Sequence, residues 1–249
     1  MRGMLVLAAY RAAGGSGDAS GIAASAEIIH GYSLIHDDLP CMDDDDVRRG
    51  RPSTHLRFSV RVAVAAGAAM IPLAARVAYG SARQLQLPAD ACCTIVKVLM
   101  EGAGAGGMIG GQHLDLAGEG LALSRDQLDS IHRSKTGALI ATSVSVGGLA
   151  AGATPNGLDA FRRYGESIGL AFQIMDDVLD VTSSSHTLGK TAGRDVELGK
   201  STYPALLGVD GAVTRARLLV DEGCDALAQE KLLTAELAQL ADFIVSRSH

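Results

Sequence analysis

FRRYGESIGLAFQIMDDVLDV, residues 161–181, decides the fold class of this chain. Phe161, Tyr164, Ile168, Phe172, Met175 and Leu179 recur three and four positions apart, which draws one apolar stripe along an α-helix. Working outward, the same spacing predicts helices over residues 21–36, 55–79, 89–114, 125–150, 203–228 and 234–246. Ser124 followed three positions later by Gln127 reads as a capping box. Pro40, Pro52, Pro88, Pro155 and Pro204 fall at or near the expected helix ends, where a missing N–H costs least, whereas Pro72 falls inside one and predicts a kink or break. Each stripe needs the others for burial. The expectation is therefore one all-α domain over residues 1–249.

Composition agrees. Hydrophobic residues are 47% and charged residues 20%, which excludes a disordered chain. Aromatics are only 4% and Trp is absent, so Ala, Val, Leu, Ile and Met must fill the core. Cys41, Cys92, Cys93 and Cys224 lack metal-ligand spacing; Cys92 and Cys93 read as small buried residues in a reduced, cytoplasmic protein. The opening run to Gly15 is cut by Tyr10 and Arg11 and reads as an amphipathic helix. The uncharged run over residues 62–75 is too short to span a bilayer, and the run over 137–158 is rich in Thr, Ser and Gly, so no membrane span is expected.

The net charge of −6 argues against a nucleic-acid partner, and its distribution is more informative. With Asp37, Asp38, Asp43, Asp44, Asp45, Asp46, Asp176, Asp177 and Asp180 set aside, the rest of the chain is +3. The acidity sits in HDDLPCMDDDDVRRGRP (36–52) and QIMDDVLD (173–180). Two carboxylates about 4 Å apart repel by roughly 4 kcal/mol at an effective dielectric of 20, so such groups stay wet, take up protons or bind cations. An acidic run alone is as often a solvated loop. The second cluster, however, lies on the best-defined helix among apolar neighbours, with Asp176 and Asp180 on one face and Gln173 a turn earlier. Asp37 and Asp43, six apart, would diverge on a straight helix, and Pro40 supplies a turn that lets them converge.

Clustered hard oxygen ligands suit Mg²⁺, which takes one or two carboxylates and completes its shell with water and phosphate. Arg48, Arg49 and Arg51 follow at once, then Lys135, Lys190, Arg194 and Lys200. Carboxylates, Mg²⁺ and basic side chains together meet the needs of a diphosphate. No P-loop is present in the sequence.

LIHDDLPCMDDDDVRRGRP and FQIMDDVLD, followed by TLGKTAGRDVELGKSTYPALLG, resemble the two aspartate-rich motifs and flanking segments of trans-isoprenyl diphosphate synthases over nearly the whole chain. The Asp-Asp-x-x-x-x-Asp spacing of the first motif is similar to bacterial farnesyl-type and plant geranylgeranyl-type members. The resemblance implies the all-α isoprenoid synthase fold, a single-domain bundle of about ten helices around a central cavity, together with a homodimer, three Mg²⁺ ions, and condensation of an allylic diphosphate with isopentenyl diphosphate. It implies a metal site of Asp37, Asp38, Asp43, Asp176 and Asp180, in which Asp38 and Asp180, together with Asp44, support the ligands through hydrogen bonds rather than binding metal directly. It assigns Arg48, Lys135 and Lys190 to the allylic diphosphate, Lys200 to substrate binding, Thr136 and Gln173 to the reacting carbons, and Arg2, His30 and Arg49 to isopentenyl diphosphate. Tyr32, five positions before Asp37, with Ser33 beside it, would set the floor under the growing chain. That floor implies a mainly fifteen-carbon product.

The chain departs from the family's pattern in three places. An early Gly-Gly-Lys-x-x-Arg is reduced to Arg2, which reads as a shortened start; Gly-Asp-Ala-Leu becomes Gly67-Ala68-Ala69-Met70; and Gly-Glu-Ala becomes Ser59-Val60-Arg61. A geranylgeranyl or longer-chain synthase and a noncatalytic partner subunit remain the alternatives. A class I terpene cyclase would replace the second motif, which is intact here.

Overall fold

A computed structural model of the protein describes residues 1–182 and 201–247. Its helices are α1 (Arg2–Ala12), α2 (Ser20–Asp37), α3 (Thr54–Arg57), α4 (Val60–Gln84), α5 (Ala89–Ala103), α6 (Met108–Ala117), α7 (Arg125–His132), α8 (Ala138–Ala150), α9 (Pro155–Thr182), α10 (Tyr203–Gln229, kinked at Gly208 where φ is 71°) and α11 (Ala235–Ser246). The all-α reading holds. One π-helical turn, Arg133–Gly137, joins α7 to α8 into a continuous rod, as the sequence pattern of 125–150 predicts. The capping box starts that rod: Ser124 accepts from the Gln127 N–H, and the Gln127 side chain accepts from the Ser124 N–H.

The apolar stripe of α9 is buried, with Phe161, Tyr164 and Ile168 fully enclosed and the Tyr164 hydroxyl donating to the Leu237 carbonyl at 2.8 Å. Each such side chain stabilises the bundle by about 1.5–3 kcal/mol. Two apolar clusters lie on either side of α1 and α8. Leu5 and Val144 face a cluster built with α9, α10 and α11, while Val6 and Val146 face one built with α2, α4 and α5. This layering brings the C-terminal end of α2, the π turn and the C-terminal half of α9 to the same part of the bundle, where the aspartates are.

Several local expectations change. The helix expected over 55–79 is broken at Phe58 and Ser59, because Ser59 caps α4 by accepting from the Val62 N–H at 3.2 Å. It then runs through Pro72 without a break; the carbonyl that loses its donor belongs to Ala68, which is exposed. The helix expected over 89–114 is interrupted at residues 104–107, where Gly104 is extended and Gly107 lies outside the helical region. Cys93 is exposed and only Cys92 is buried, because neighbours on a helix point about 100° apart. Helix α1 is buried over much of its surface, against α8 and α2, rather than along one stripe. Val60–Gln84 and Ala89–Ala117 are each long and apolar enough to cross a membrane by length and composition alone, but the second is interrupted at residues 104–107 and both pack into the bundle.

Candidate active site

The first wall is built where α2 ends. Asp37 is its last residue, and the chain then wraps back, so that the Asp43 N–H donates to the Asp37 carbonyl at 2.9 Å and the Met42 N–H to the Leu39 carbonyl at 2.9 Å. Pro40 lies in this turn, and Asp44 adopts a left-handed backbone (φ 49°). Burial pushes the Asp37 carboxyl up to about 6. Asp43 and Asp38 push the same way, and Lys135 and Arg48 oppose them. Asp38 is 2% exposed and held by Arg48, whose Nε donates to it at 2.9 Å and whose Nη2 also reaches it; the same guanidinium meets Asp45 at 3.0 Å.

Arg48 and Arg49 sit on a short hairpin, β1 (Val47–Arg48) against β2 (Arg51–Pro52). Its two-residue turn places Arg49 (φ 53°) and Gly50 (φ 72°) in the left-handed region, as tight hairpins require. Arg49 comes near Arg2 and His30, so the three residues form one basic corner. Burial, then Arg2, pushes the His30 imidazole down to about 3, which leaves it neutral at pH 7. Burial brings Arg2 down to about 10 against the pull of Glu27 and Asp176, so it stays charged.

The π turn forms the second element. π turns inside α-helices shift the phase of side chains and recur at functional sites. Here the turn presents Lys135 and Thr136. Lys135 Nζ donates to Asp115 of α6 at 2.6 Å and lies within electrostatic reach of Asp37. Gly111 makes the approach possible, since a Cβ there would fall 2.1 Å from the Lys135 backbone nitrogen. Thr136 Oγ1 donates to Gln173 Oε1 at 2.9 Å. That contact follows from the packing one turn earlier on α9, where Gly169 meets Gly137 so closely that a Cβ would lie 2.7 Å from its Cα.

The second wall is the C-terminal half of α9. Asp177, 3% exposed, anchors a buried network: it accepts from Gln173 Nε2 at 3.2 Å and from the Tyr203 N–H at 3.0 Å, and His132 Nε2 lies 3.5 Å away. Tyr203 stacks on His132 and donates its hydroxyl to Asp129. Asp176 accepts from Arg247 Nη2 at 2.6 Å, and that guanidinium covers the Phe172 ring with 3.9 Å to its centroid. Asp180 is 4% exposed, and both its oxygens are buried without a hydrogen-bond partner among the described residues.

The chain matches the polyprenyl synthetase family over residues 1–234. It belongs to that family. It is 46% identical to the farnesyl diphosphate synthase of Escherichia coli K12 over 230 residues, covering 91% of this chain and 77% of the relative. It is 39% identical to the geranylgeranyl diphosphate synthase of Cyanophora paradoxa, covering 100% and 83%. The fold superposes with a TM-score of 0.84 on a Helicobacter pylori geranyltransferase crystallised with magnesium and isoprenyl diphosphate, at 32% identity and covering 98% and 81% of the two chains. The fold is that of the prenyl synthases.

The donor set fits the magnesium chemistry to which family membership and the magnesium-bound relative point. Asp180 keeps both oxygens buried and unpartnered among the described residues, and Asp176 already receives a positive charge from Arg247. Among the described residues no three His, Cys, Asp or Glu side chains gather closely enough to hold a metal unaided. Mg²⁺ ions at Asp37 and Asp43, or at Asp176 and Asp180, would therefore complete their shells with water and phosphate oxygens.

Sequence reasoning singled out Asp37, Asp43, Arg48, Lys135, Thr136 and Gln173, and the structure groups them around the π turn and the end of α2. Lys190 and Lys200 lie outside the described residues. Asp115, His132, Asp177 as an anchor, Tyr203 and Arg247 were missed. Single polar residues in helical patterns carry no signal for a partner from 20 to 74 positions away. His132, three residues before Lys135, was the one reachable hint.

Proposed function

We propose that the protein is a Mg²⁺-dependent trans-prenyltransferase that condenses dimethylallyl or geranyl diphosphate with isopentenyl diphosphate, farnesyl diphosphate being the main product. The observation that carries this reading is the pairing of two carboxylate walls with Lys135, Arg48 and the Arg2–His30–Arg49 corner. Three Mg²⁺ ions, held by Asp37 and Asp43 on one wall and by Asp176 and Asp180 on the other, would neutralise the allylic diphosphate and make it a leaving group. Lys135, Arg48, Lys190 and Lys200 would share that charge. Asp38 orients Arg48 and contributes to the metal wall through it.

Arg2, His30 and Arg49 hold the second diphosphate in this reading, with neutral His30 donating a hydrogen bond rather than a charge. Thr136 and Gln173 present fixed dipoles to the reacting carbons, where positive charge develops once the allylic C–O bond breaks. The isopentenyl double bond attacks, and loss of a proton completes the transfer.

Association into a homodimer is supported by the apolar side chains that α4 leaves exposed, among them Val60, Val62, Val64, Leu73 and Tyr79. The whole chain acts as one catalytic domain. Four unpaired cysteine thiols fit a reducing, cytoplasmic setting.

Product length follows from Tyr32. It is 3% exposed in the apolar cluster with Ile29, Leu99 and Met108, packs edge-on to His36 at 5.7 Å, and lies within electrostatic reach of Asp37. Ser33 beside it is small and turned to its own helix, donating to the His30 carbonyl. An added isoprene unit gains roughly 4 kcal/mol of burial at about 0.8 kcal/mol per CH₂, so only a steric floor stops growth. Chromatography of the dephosphorylated products tests this. The wild type should give mainly the fifteen-carbon alcohol and Tyr32→Ala alcohols of twenty carbons or more; unchanged products in the variant would remove Tyr32 as the floor.

A further inference from the structure

Gln112 is the buried polar side chain that the proposed reaction leaves without a task. It lies on α6, is 6% exposed, and both its amide nitrogen and its amide oxygen are buried with no hydrogen-bond partner among the described residues. Buried amides are almost always paired, because an unpaired one forfeits its hydration without return. A fold that keeps both ends of one amide orphaned has reserved them for something else.

The position shows what that is. Met108, Gln112 and Asp115 follow one another at four and three residues, so they lie on one face of α6. Asp115 at the top of this face binds Lys135, beside Asp37, where the allylic diphosphate is read to sit. Met108 at the bottom packs in the apolar cluster of Tyr32, Ile29 and Leu99, which is read as the floor under the hydrocarbon tail. Gln112 stands between the two levels. The backbone of neighbouring Gly111 is pressed on Lys135, which fixes the height of this face against the π turn.

The diphosphate above and the tail below leave one part of the substrate at the level of Gln112, the allylic C1–C3 unit. We infer that Gln112 contacts that unit, its amide oxygen facing the carbons as the C1–O bond breaks, the electron pair departs on the diphosphate and positive charge spreads over C1 and C3. The inference rests on the prenyl-transfer reading. A fixed dipole of this kind acts on the transition state more than on the bound substrate, because the charge it meets is absent before ionisation.

Gln112→Met and Gln112→Leu test it, the first nearly preserving shape and the second branching it. Three quantities are measured in each: kcat with geranyl and isopentenyl diphosphates, the dissociation constant for a sulfur-bridged geranyl diphosphate analogue that does not ionise, and the thermal midpoint without ligand. The expected result is a 10- to 100-fold fall in kcat, analogue affinity within threefold of wild type, and a higher thermal midpoint, since an orphaned amide has been replaced by an apolar group. Turnover within twofold of wild type in both variants would overturn the assignment. So would a fall in analogue affinity as large as the fall in kcat, or a lowered midpoint in both variants, which would show that the amide serves ground-state binding or the fold. A wild type without turnover would instead overturn the prenyl-transfer reading, and this inference with it.

Discussion

Replacing Asp177 by Asn changes one atom and should reverse the amide of Gln173. Asp177 offers only acceptors: one oxygen takes the Gln173 Nε2–H at 3.2 Å, and the other takes the Tyr203 N–H at 3.0 Å with His132 3.5 Å away. The Asn amide must turn its NH₂ toward one of these donors. The Tyr203 N–H is backbone and cannot move away, so the Asn oxygen stays there and its NH₂ faces Gln173. Gln173 then flips, directing its own NH₂ at Thr136 Oγ1, where its oxygen had accepted at 2.9 Å. Thr136 Oγ1 then accepts instead of donating, and its hydroxyl hydrogen must turn away from Gln173 to another acceptor, so the stability loss is at least that of one charge-assisted hydrogen bond, about 1.5–3 kcal/mol. The dipole presented to the reacting carbons has changed sign, however, and losing one oriented dipole of this kind costs about 100-fold or more in turnover. Urea unfolding and steady-state prenyl transfer measure the two effects separately. A variant that loses the predicted stability yet retains more than half of wild-type kcat would refute the link from Asp177 through Gln173 to the chemistry.

Asp180→Asn should raise the thermal midpoint in chelator, because a buried carboxylate that has no partner among the described residues is replaced by a neutral group. The same variant should lose much of the further rise that Mg²⁺ with inorganic diphosphate gives the wild type; a lowered midpoint in chelator would show that Asp180 has a structural partner. His30→Asn should make the metal-free protein less sensitive to acid. The folded-state pKa of His30 is depressed from 6.5 to about 3, so its neutral form is favoured by folding, and stability falls as pH drops below 6.5. Between pH 7 and 4.5 the variant should lose about 1–2 kcal/mol less than wild type in urea titrations, after discounting for its partial exposure. Equal losses would place a charged, accommodated imidazole at this site.

The fold class and both acidic motifs were legible because each rests on local repetition. The stripe of α9 and the capping box of α7 are patterns within a few turns, and both are found. Helix ends were less legible where glycine and serine chemistry outweighs apolar periodicity, as at Ser59 and residues 104–107. The π turn is invisible in sequence, since Arg133-Ser134-Lys135-Thr136-Gly137 has the composition of an ordinary helix. In the fold, Gly111 packs closely against it on one side and Gly169 on the other. The departure at Gly67-Ala68 also becomes intelligible in part. Gly67 is required because a Cβ would fall 2.2 Å from His36 Nε2, while Ala68 is exposed and loses no partner when it is not Asp. Nothing in the structure explains Ser59-Val60-Arg61 in place of the family pattern beyond the cap that Ser59 provides.

The central claim is that two carboxylate walls act together on one allylic diphosphate. Its most direct test is transfer from labelled isopentenyl diphosphate to geranyl diphosphate, with and without Mg²⁺, by wild type and by Asp37→Ala and Asp176→Ala, folding being checked by circular dichroism. The wild type should form product only with Mg²⁺, and each variant should keep its helical signal while losing turnover by at least 1000-fold, about 4 kcal/mol of transition-state stabilisation. Near-normal product formation by either variant, or by the wild type in chelator, would contradict the account.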